Sequence, residues 1–393
     1  MLWPSESLWD RLIKSTGGIW AQQLGDGEQV FVCKFTRSML KHVKQGCKVE
    51  LLVATIQVTN GPIRMLGAVV HDDITHPITV FGPTVRKNEL DALAKILDEG
   101  RVKIYFFDDA CVQTLEATAR FSPMHLSVEV ESSEEIEREV NTEALDLFQD
   151  LVEDWETGTA LEKFRADLEI EDMESMKVSI LGGHYVLGAG NEGDELEHAA
   201  ELLLDGILPY PSIRNPLRTE KDAKELCDVL GFGPKFTYHI VVQAKVDGIF
   251  AAGPERLPEK RWAKIRKNIT KAIHQGTGAV RSLRRGVEIT AAVLPEPVKV
   301  IAAGRIHVVI LLSEMYSLVD WVSVAEEMVQ ASAEGIFVQA MDMGQFQRLV
   351  SACLIAGPDA APRLLDKNLE MRWQAMQASG NALVLGRVKW PSG

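Results

Sequence analysis

Cysteine is scarce and scattered. The five residues, Cys33, Cys47, Cys111, Cys227 and Cys353, show no C-x-x-C spacing. That argues against a disulfide framework or a zinc ribbon and fits a reducing, cytoplasmic setting. Also lacking is any uncharged stretch of the ~18 to 20 residues that a membrane span needs. The longest apolar run, near "IHVVILLSEMYSLVDWV", is broken by Glu314 and Asp320, so no membrane partner is expected. The opening "MLWPSESLWDRLIKSTGG" has no basic segment followed by an apolar one, so no signal peptide is expected. Internal repeats and low-complexity tracts are missing too. Positive charge is in deficit: 42 Lys and Arg stand against 56 Asp and Glu, a net charge of -14. Bulk charge therefore argues against a generic nucleic-acid binder, but it says nothing of how charge is distributed along the chain.

What is present is an ordinary globular composition, 46% hydrophobic and 25% charged over 393 residues, long enough for two domains. Strand-like and helical periods alternate throughout, which predicts the α/β class. Residues 1–127 read as a mixed α/β domain of unassigned role. It has strands in "QVFVCKF", "VELLVATIQV", "IRMLGAVV" and "RVKIYFF", and one amphipathic helix, "RKNELDALAKILDEG", closed by Gly100. Residues 128–175 are dominated by acids, beginning "EVESSEEIEREVNTEALDLFQDLVEDWETG", with Leu145, Phe148, Leu151 and Val152 at helical spacing. They predict an acidic helical linker with a solvated face, or one that covers a basic surface. Residues 176–393 read as a second α/β domain. Its order is a strand near "MKVSIL", a glycine loop, the helix "DELEHAAELLLDG" and the strands "ELCDVLGF" and "HIVVQAKV". A long helix, the strand "IHVVILL", a helix, the strand "GIFVQAM", a last helix and the strand "NALVLGRVKW" complete it.

Two local patterns resolve to modest readings. Gly188, Gly190 and Gly193 in "YVLGAGNEGDELEHAAELLL" have G-x-G-x-x-G spacing, the pattern of a dinucleotide loop. The helix behind them, however, begins with Glu192, Asp194 and Glu195, which satisfy its dipole and repel phosphate. The following "ILPYPSIRNP" has prolines that bar a central strand. Nucleotide binding is therefore disfavoured. Asp108 and Asp109 after "YFF" read as turn residues at a strand end rather than as a metal pair.

The richer constellation is "KELCDVLGFGPKFTYHIVVQAKVDG". Two apolar strands joined through Gly231, Gly233 and Pro234 predict an antiparallel hairpin that brings Asp228 close to Gln243 and Lys245. Gln243 and Lys245 share one strand face. Polar groups among Ile240, Val241, Val242 and Val246 are costly to bury unless paired or ligating a metal. A structural Asp–Lys pair is one reading of this cluster. Phosphodiester hydrolysis is the other, since it needs acid and carbonyl oxygens for Mg²⁺ and a cation or base beside the attacking water.

These residues resemble the PD-(D/E)XK nuclease superfamily. The motif D-x(n)-(D/E/Q)-x-K lies on neighbouring strands, after a helix and before a long basic helix and another apolar strand. The Q-A-K version is most similar to the Mrr-type restriction-endonuclease branch. The resemblance spans roughly residues 190 to 345 and implies a restriction-endonuclease-like αβββαβ domain with a central mixed sheet. It implies that Asp228 is the principal metal ligand, that the Gln243 side-chain oxygen stands where Asp or Glu is usual, and that the Ala244 carbonyl is a further ligand. Lys245 would position the water or stabilise the pentacovalent phosphate. Glu197 and Glu201, four apart on one helix face, are each candidates for the glutamate that such nucleases often carry on their first helix, or else parts of a solvated face. Gln275 sits where related nucleases often have a glutamine. With Gln243 neutral, the set has one carboxylate fewer than usual and should hold Mg²⁺ or Mn²⁺ less tightly unless Glu197 or Glu201 joins it.

Charge placement adds a partner. Arg256, Lys260, Arg261, Lys264, Arg266, Lys267, Lys271, Arg281, Arg284 and Arg285 fall within one stretch, against Glu255 and Glu259 alone. Such a basic segment predicts nucleic-acid phosphate contacts, with Lys260, Arg261, Lys264, Lys267, Lys271, Arg281 and Gln275 as the binding candidates. A solvated face, or pairing with the acidic segment, is the alternative. The expectation is a metal-dependent nuclease acting on DNA rather than RNA, or a catalytically inactive nuclease fold serving as a binding module. A homo-oligomer is left open.

Overall fold

The computed structural model describes residues 5–15, 17–71, 77–108, 111–132, 142–180, 183–188, 190–219, 224–246, 258–313, 315 and 319–383. The chain is α/β, as its periodicities predict, and divides into two compact units, with the described residues up to Val178 in the first and those from Ser179 onward in the second. Among the described residues no helix is long and apolar enough to cross a membrane.

The first unit holds α1 (Glu6–Lys14), β1 (Gly18–Gln23), β2 (Gln29–Lys34), α2 (Arg37–Lys44), β3 (Val49–Val58), β4 (Gly61–Val70), β5 (Ile78–Thr84), α3 (Lys87–Glu99), β6 (Arg101–Phe107), β7 (Gln113–Arg120), α4 (Thr142–Glu153), β8 (Glu162–Asp167) and β9 (Glu169–Ser175). Its sheets run β1-β2-β6-β7-β9 and β5-β4-β3-β8. Helix α3 stops at Gly100, whose φ of 62° is left-handed and whose missing Cβ would meet the Phe121 carbonyl oxygen at 2.7 Å.

The acidic stretch is not a linker. The expected helix forms as α4, but its Ala144, Phe148 and Leu151 are buried with β3 and β4 residues in the unit's own core. Strand β8 then pairs antiparallel with β3, and β9 with β7, so residues 142–175 belong to the first unit. Both strands are sheet edges, and their side chains leave those edges charged: Glu162, Lys163, Arg165 and Asp167 along "EKFRAD", and Glu169, Glu171, Asp172 and Glu174 along "EIEDMES".

Residues near "MKVSIL" form only a three-residue strand, β10 (Val178–Ile180), paired with β11 (Gly183–Tyr185) outside the larger sheets. The second unit continues with α5 (Glu192–Asp205), β12 (Ile213–Arg214), β13 (Leu217–Arg218), β14 (Val229–Phe232), β15 (Tyr238–Lys245), α6 (Pro258–Arg285), β16 (Val287–Thr290), β17 (Val298–Val300), β18 (Arg305–Leu312), α7 (Trp321–Ala331), β19 (Ile336–Asp342), α8 (Met343–Leu354) and α9 (Ala361–Ser379). All but the first three residues of the strand expected over "NALVLGRVKW" lie outside the described residues.

The main sheet of this unit is mixed, in the order β12-β14-β15-β18-β19. Strands β14 and β15 are antiparallel, whereas β15, β18 and β19 are mutually parallel. The proline-flanked segment after α5 supplies only β12, a two-residue edge strand. Strand β18, "RIHVVILL", is buried on both faces, as the centre of a parallel run requires. Its Ile306, Val308, Ile310 and Leu312 pack with α6 and α7, while Val309 and Leu311 pack with α5, α8 and α9. Helix α6 reaches the sheet at Gly276, where a Cβ would lie 2.4 Å from Val308 Cγ1.

Candidate active site

The hairpin sets the geometry. Val229 faces Val242 and Leu230 faces Val241, and the ladder continues one step further because the Asp228 N–H donates to the Val242 carbonyl at 3.1 Å. Asp228 therefore sits just before β14, level with the last residues of β15. Beyond that point no strand residue receives the Ala244 N–H, so the Asp228 carboxylate does, through Oδ2 at 2.5 Å. Lys245 Nζ stands 3.3 Å from the same oxygen and donates to the Ala244 carbonyl at 2.9 Å. Gln243 is 1% exposed, and its Oε1 has no hydrogen-bond partner. An orphaned amide oxygen in a core costs roughly 1–3 kcal/mol. Gln243 lies under α6: the Cβ that Gly276 lacks would be 3.9 Å from Gln243 Cγ.

Of the two helix glutamates, only Glu197 reaches this group. Burial raises its carboxyl above the usual range and the Asp228 charge adds to that, while a hydrogen bond with Asn215 pulls it back; its Oε2 is buried without a partner. Glu201 is held elsewhere, with Oε2 at 3.1 Å from His198 Nδ1 and 3.6 Å from Arg214 Nε. Helical spacing put both on one face, but the edge strand β12 brings Arg214 to Glu201 and so separates their roles.

Glu225 is the member that the sequence did not reveal. Burial, a hydrogen bond with Asp228 and the charges of Asp228 and Glu197 push its carboxyl up to about 7, against the pull of Lys245. In one continuous strand Glu225 and Asp228, three apart, would point to opposite faces. The regular strand begins only at Val229, and the irregular approach lets both carboxyls converge.

Among the described residues, Lys267, Lys271 and Arg281 do not join this group. Lys267, Lys271, Arg281 and Gln275 are exposed on α6, and Lys264 is half-buried there. The side chains of Lys260 and Arg261, and all of Arg256, lie outside the described residues. Among the described cations of this stretch, Arg266 and Arg284 are structural: Arg266 Nη1 pairs with Glu327 at 2.7 Å, and Arg284 Nη1 donates to the Ala302 and Ala303 carbonyls, both at 2.9 Å. At the glycine loop, Asn191 Oδ1 accepts the Gly193 N–H at 2.8 Å and caps α5, and Glu195 Oε1 accepts the Gly190 N–H at 3.2 Å. That helix start is satisfied by its own side chains. Asp108 Oδ1 accepts from the Val112 N–H at 3.0 Å and Oδ2 from Arg37 Nε at 3.1 Å, which is turn and ion-pair chemistry; Asp109 lies outside the described residues.

Among the described residues no group of three or more His, Cys, Asp or Glu side chains converges so as to hold a metal ion. The set around Asp228 is of another kind: the Asp228 carboxylate, one amide oxygen and one main-chain carbonyl, with the carboxyl of Glu225 hydrogen-bonded to Asp228 and Glu197 nearby. All are hard oxygen donors of the type Mg²⁺ and Mn²⁺ take, and the orphaned Gln243 Oε1 fits that use. Comparison of the chain with protein families, with curated proteins and with solved structures finds no match in any of the three. The functional reading therefore rests on the residues and their geometry.

Proposed function

We propose that this protein is a metal-dependent nuclease, with Mg²⁺ or Mn²⁺ as cofactor, that hydrolyses phosphodiester bonds in DNA rather than RNA. One observation carries the reading: Asp228, just before β14, and Lys245, at the end of β15, meet at 3.3 Å, and the buried Gln243 amide oxygen two residues before Lys245 has no hydrogen-bond partner among the described residues. A chain gains no stability from an orphaned acceptor, and a bound cation is one of the partners that would account for this one. The resemblance to the PD-(D/E)XK superfamily agrees with the strand order, in which an antiparallel hairpin is followed by a helix and a strand parallel to the hairpin's second arm. That no disulfide links the five cysteines supports a reducing, cytoplasmic setting.

In this reading Asp228, the Gln243 amide oxygen and the Ala244 carbonyl hold the cation, with Glu197 able to add a second carboxylate. The cation supplies Lewis-acid polarisation of the phosphate. Lys245, released from the Ala244 carbonyl, donates to the attacking water or to the developing phosphorane oxygens. A second reading has its own support. Lys245 Nζ already occupies Asp228 Oδ2 and the Ala244 carbonyl, the oxygens a cation would need, so a nuclease fold retained only for binding is the competing assignment.

Lys245→Ala separates the two. Cleavage of plasmid DNA with Mg²⁺ or Mn²⁺ should fall by about 100-fold or more, with DNA affinity nearly unchanged. If purified wild-type protein cleaves neither DNA nor RNA with either metal, the enzyme reading fails and the binding-module reading stands.

A further inference from the structure

Four cations on helix α6 are turned away from the core and from the candidate active site: Lys267, Lys271, Arg281 and Arg285, all exposed. Among the described residues none of the four pairs with a carboxylate, whereas Arg266 on the flank of the same helix does. Their spacing is regular. Lys267 to Lys271 and Arg281 to Arg285 are each one step of four, and Lys267 to Arg285 is eighteen residues. At 3.6 residues per turn eighteen residues is five whole turns, so the first and last cation lie on one line about 27 Å long. The inner face of the same helix carries Ile265, Ile269, Ala272, Ile273, Val280 and Leu283 into the core, and Gly276 lies over Gln243 and Val308. A helix body about 10 Å thick thus stands between the cation line and the catalytic candidates.

We propose that the outer face of α6 is a phosphate-backbone docking surface for duplex nucleic acid, separate from the site that would cut it. In a chain of net charge -14 a stripe of cations on one helix face, none paired with a carboxylate among the described residues, is a strong local reversal of sign. A linear polyanion with phosphates every ~3.4 Å along each strand complements it over its whole length. Backbone contacts of this kind position a duplex without reading its sequence. The surface shares only its ligand class with the nuclease reading and needs none of the Asp228 chemistry.

The test measures binding of a fluorescent 30-bp duplex to the full-length protein by anisotropy, in EDTA so that no cleavage occurs, from 50 to 200 mM KCl. Four phosphate contacts predict a slope of log affinity against log salt of about −3.5, hence roughly a 100-fold loss across that range. Combining Lys267→Glu, Lys271→Glu, Arg281→Glu and Arg285→Glu should remove at least tenfold of the 50 mM affinity and flatten the slope by about 3. The same four positions changed to Gln, which preserve helix propensity, should give the intermediate loss. Circular dichroism should show both sets folded, because all four side chains are in solvent. The proposal is overturned if both fourfold variants keep wild-type affinity and slope, or if wild type binds no duplex at 50 mM KCl. It is also overturned if poly-L-glutamate binds this face more tightly than the duplex at equal salt, which would make the partner an acidic protein. Loss of the nuclease reading through absence of cleavage leaves every one of these binding readouts unchanged.

Discussion

His239 shows what burial without a partner does to an ionisable side chain. It lies on β15, 1% exposed, between the rings of Phe232 and Phe236, and neither ring nitrogen has a hydrogen-bond partner. Desolvation, with the Arg284 charge adding to it, lowers its pKa to about 4 from 6.5. The folded state therefore binds fewer protons than the unfolded chain between those values. The stability this confers is complete above pH 6.5 and is lost as pH falls towards 4. Glu225, held up to about 7, pulls the opposite way over much of the same range, so the wild-type profile alone is a composite. His239→Phe isolates the effect. In urea unfolding at a series of pH values, the variant should gain on wild type by roughly 2 kcal/mol between pH 6.5 and 4, once solvent screening is allowed for, and run parallel above 6.5. Curves parallel throughout would mean that His239 is not held neutral.

At the scale of elements, legibility followed how strongly each segment's pattern was constrained. The hairpin could be read because apolar runs and a glycine-rich turn fix both strand type and register, and register alone brings Asp228 to Gln243 and Lys245. Glu225 escaped because it lies in the irregular approach to β14, where no period applies. Residues 142–175 were misread because acids weigh the same in a solvated linker and along a sheet edge. Only pairing to β3 and β7, strands far away in sequence, tells them apart. The basic stretch was legible as a helix, but the role of each cation depended on which face it took, and Arg266 and Arg284 proved to be ties within the unit. That face is set by Gly276. Gly276→Ala would gain about 1 kcal/mol of helix propensity but drive a methyl to 2.4 Å from Val308 Cγ1, and overpacking of that kind costs about 1–3 kcal/mol. A net loss of up to about 2 kcal/mol in unfolding free energy is expected, with the largest chemical-shift changes at Gln243 and Val308. A stabilised variant would show that α6 does not need this close approach.

For the molecule as a whole, the decisive feature is that each unit closes its own core. Among the described residues, the clusters on the two faces of the β12-β14-β15-β18-β19 sheet draw on residues from Leu196 to Leu383, and the α4 cluster of the first unit on residues from Leu52 to Ala160. Every strand of the β1-β2-β6-β7-β9 and β5-β4-β3-β8 sheets comes from the first unit, and every strand of the β12-β14-β15-β18-β19 sheet from the second. A domain with its own sheet and both faces covered has what it needs to fold alone. A fragment of residues 179–393 should accordingly unfold in one cooperative transition, keep the near-ultraviolet signal of its buried Trp321, and carry both the Lys245-dependent cleavage and the salt-sensitive binding of α6. If the fragment is soluble and folded but has lost either property, that property depends on the first unit, and the assignment of both to the second is wrong. If it melts without cooperativity, the boundary itself fails, because the core clusters would then need surfaces that only the first unit supplies.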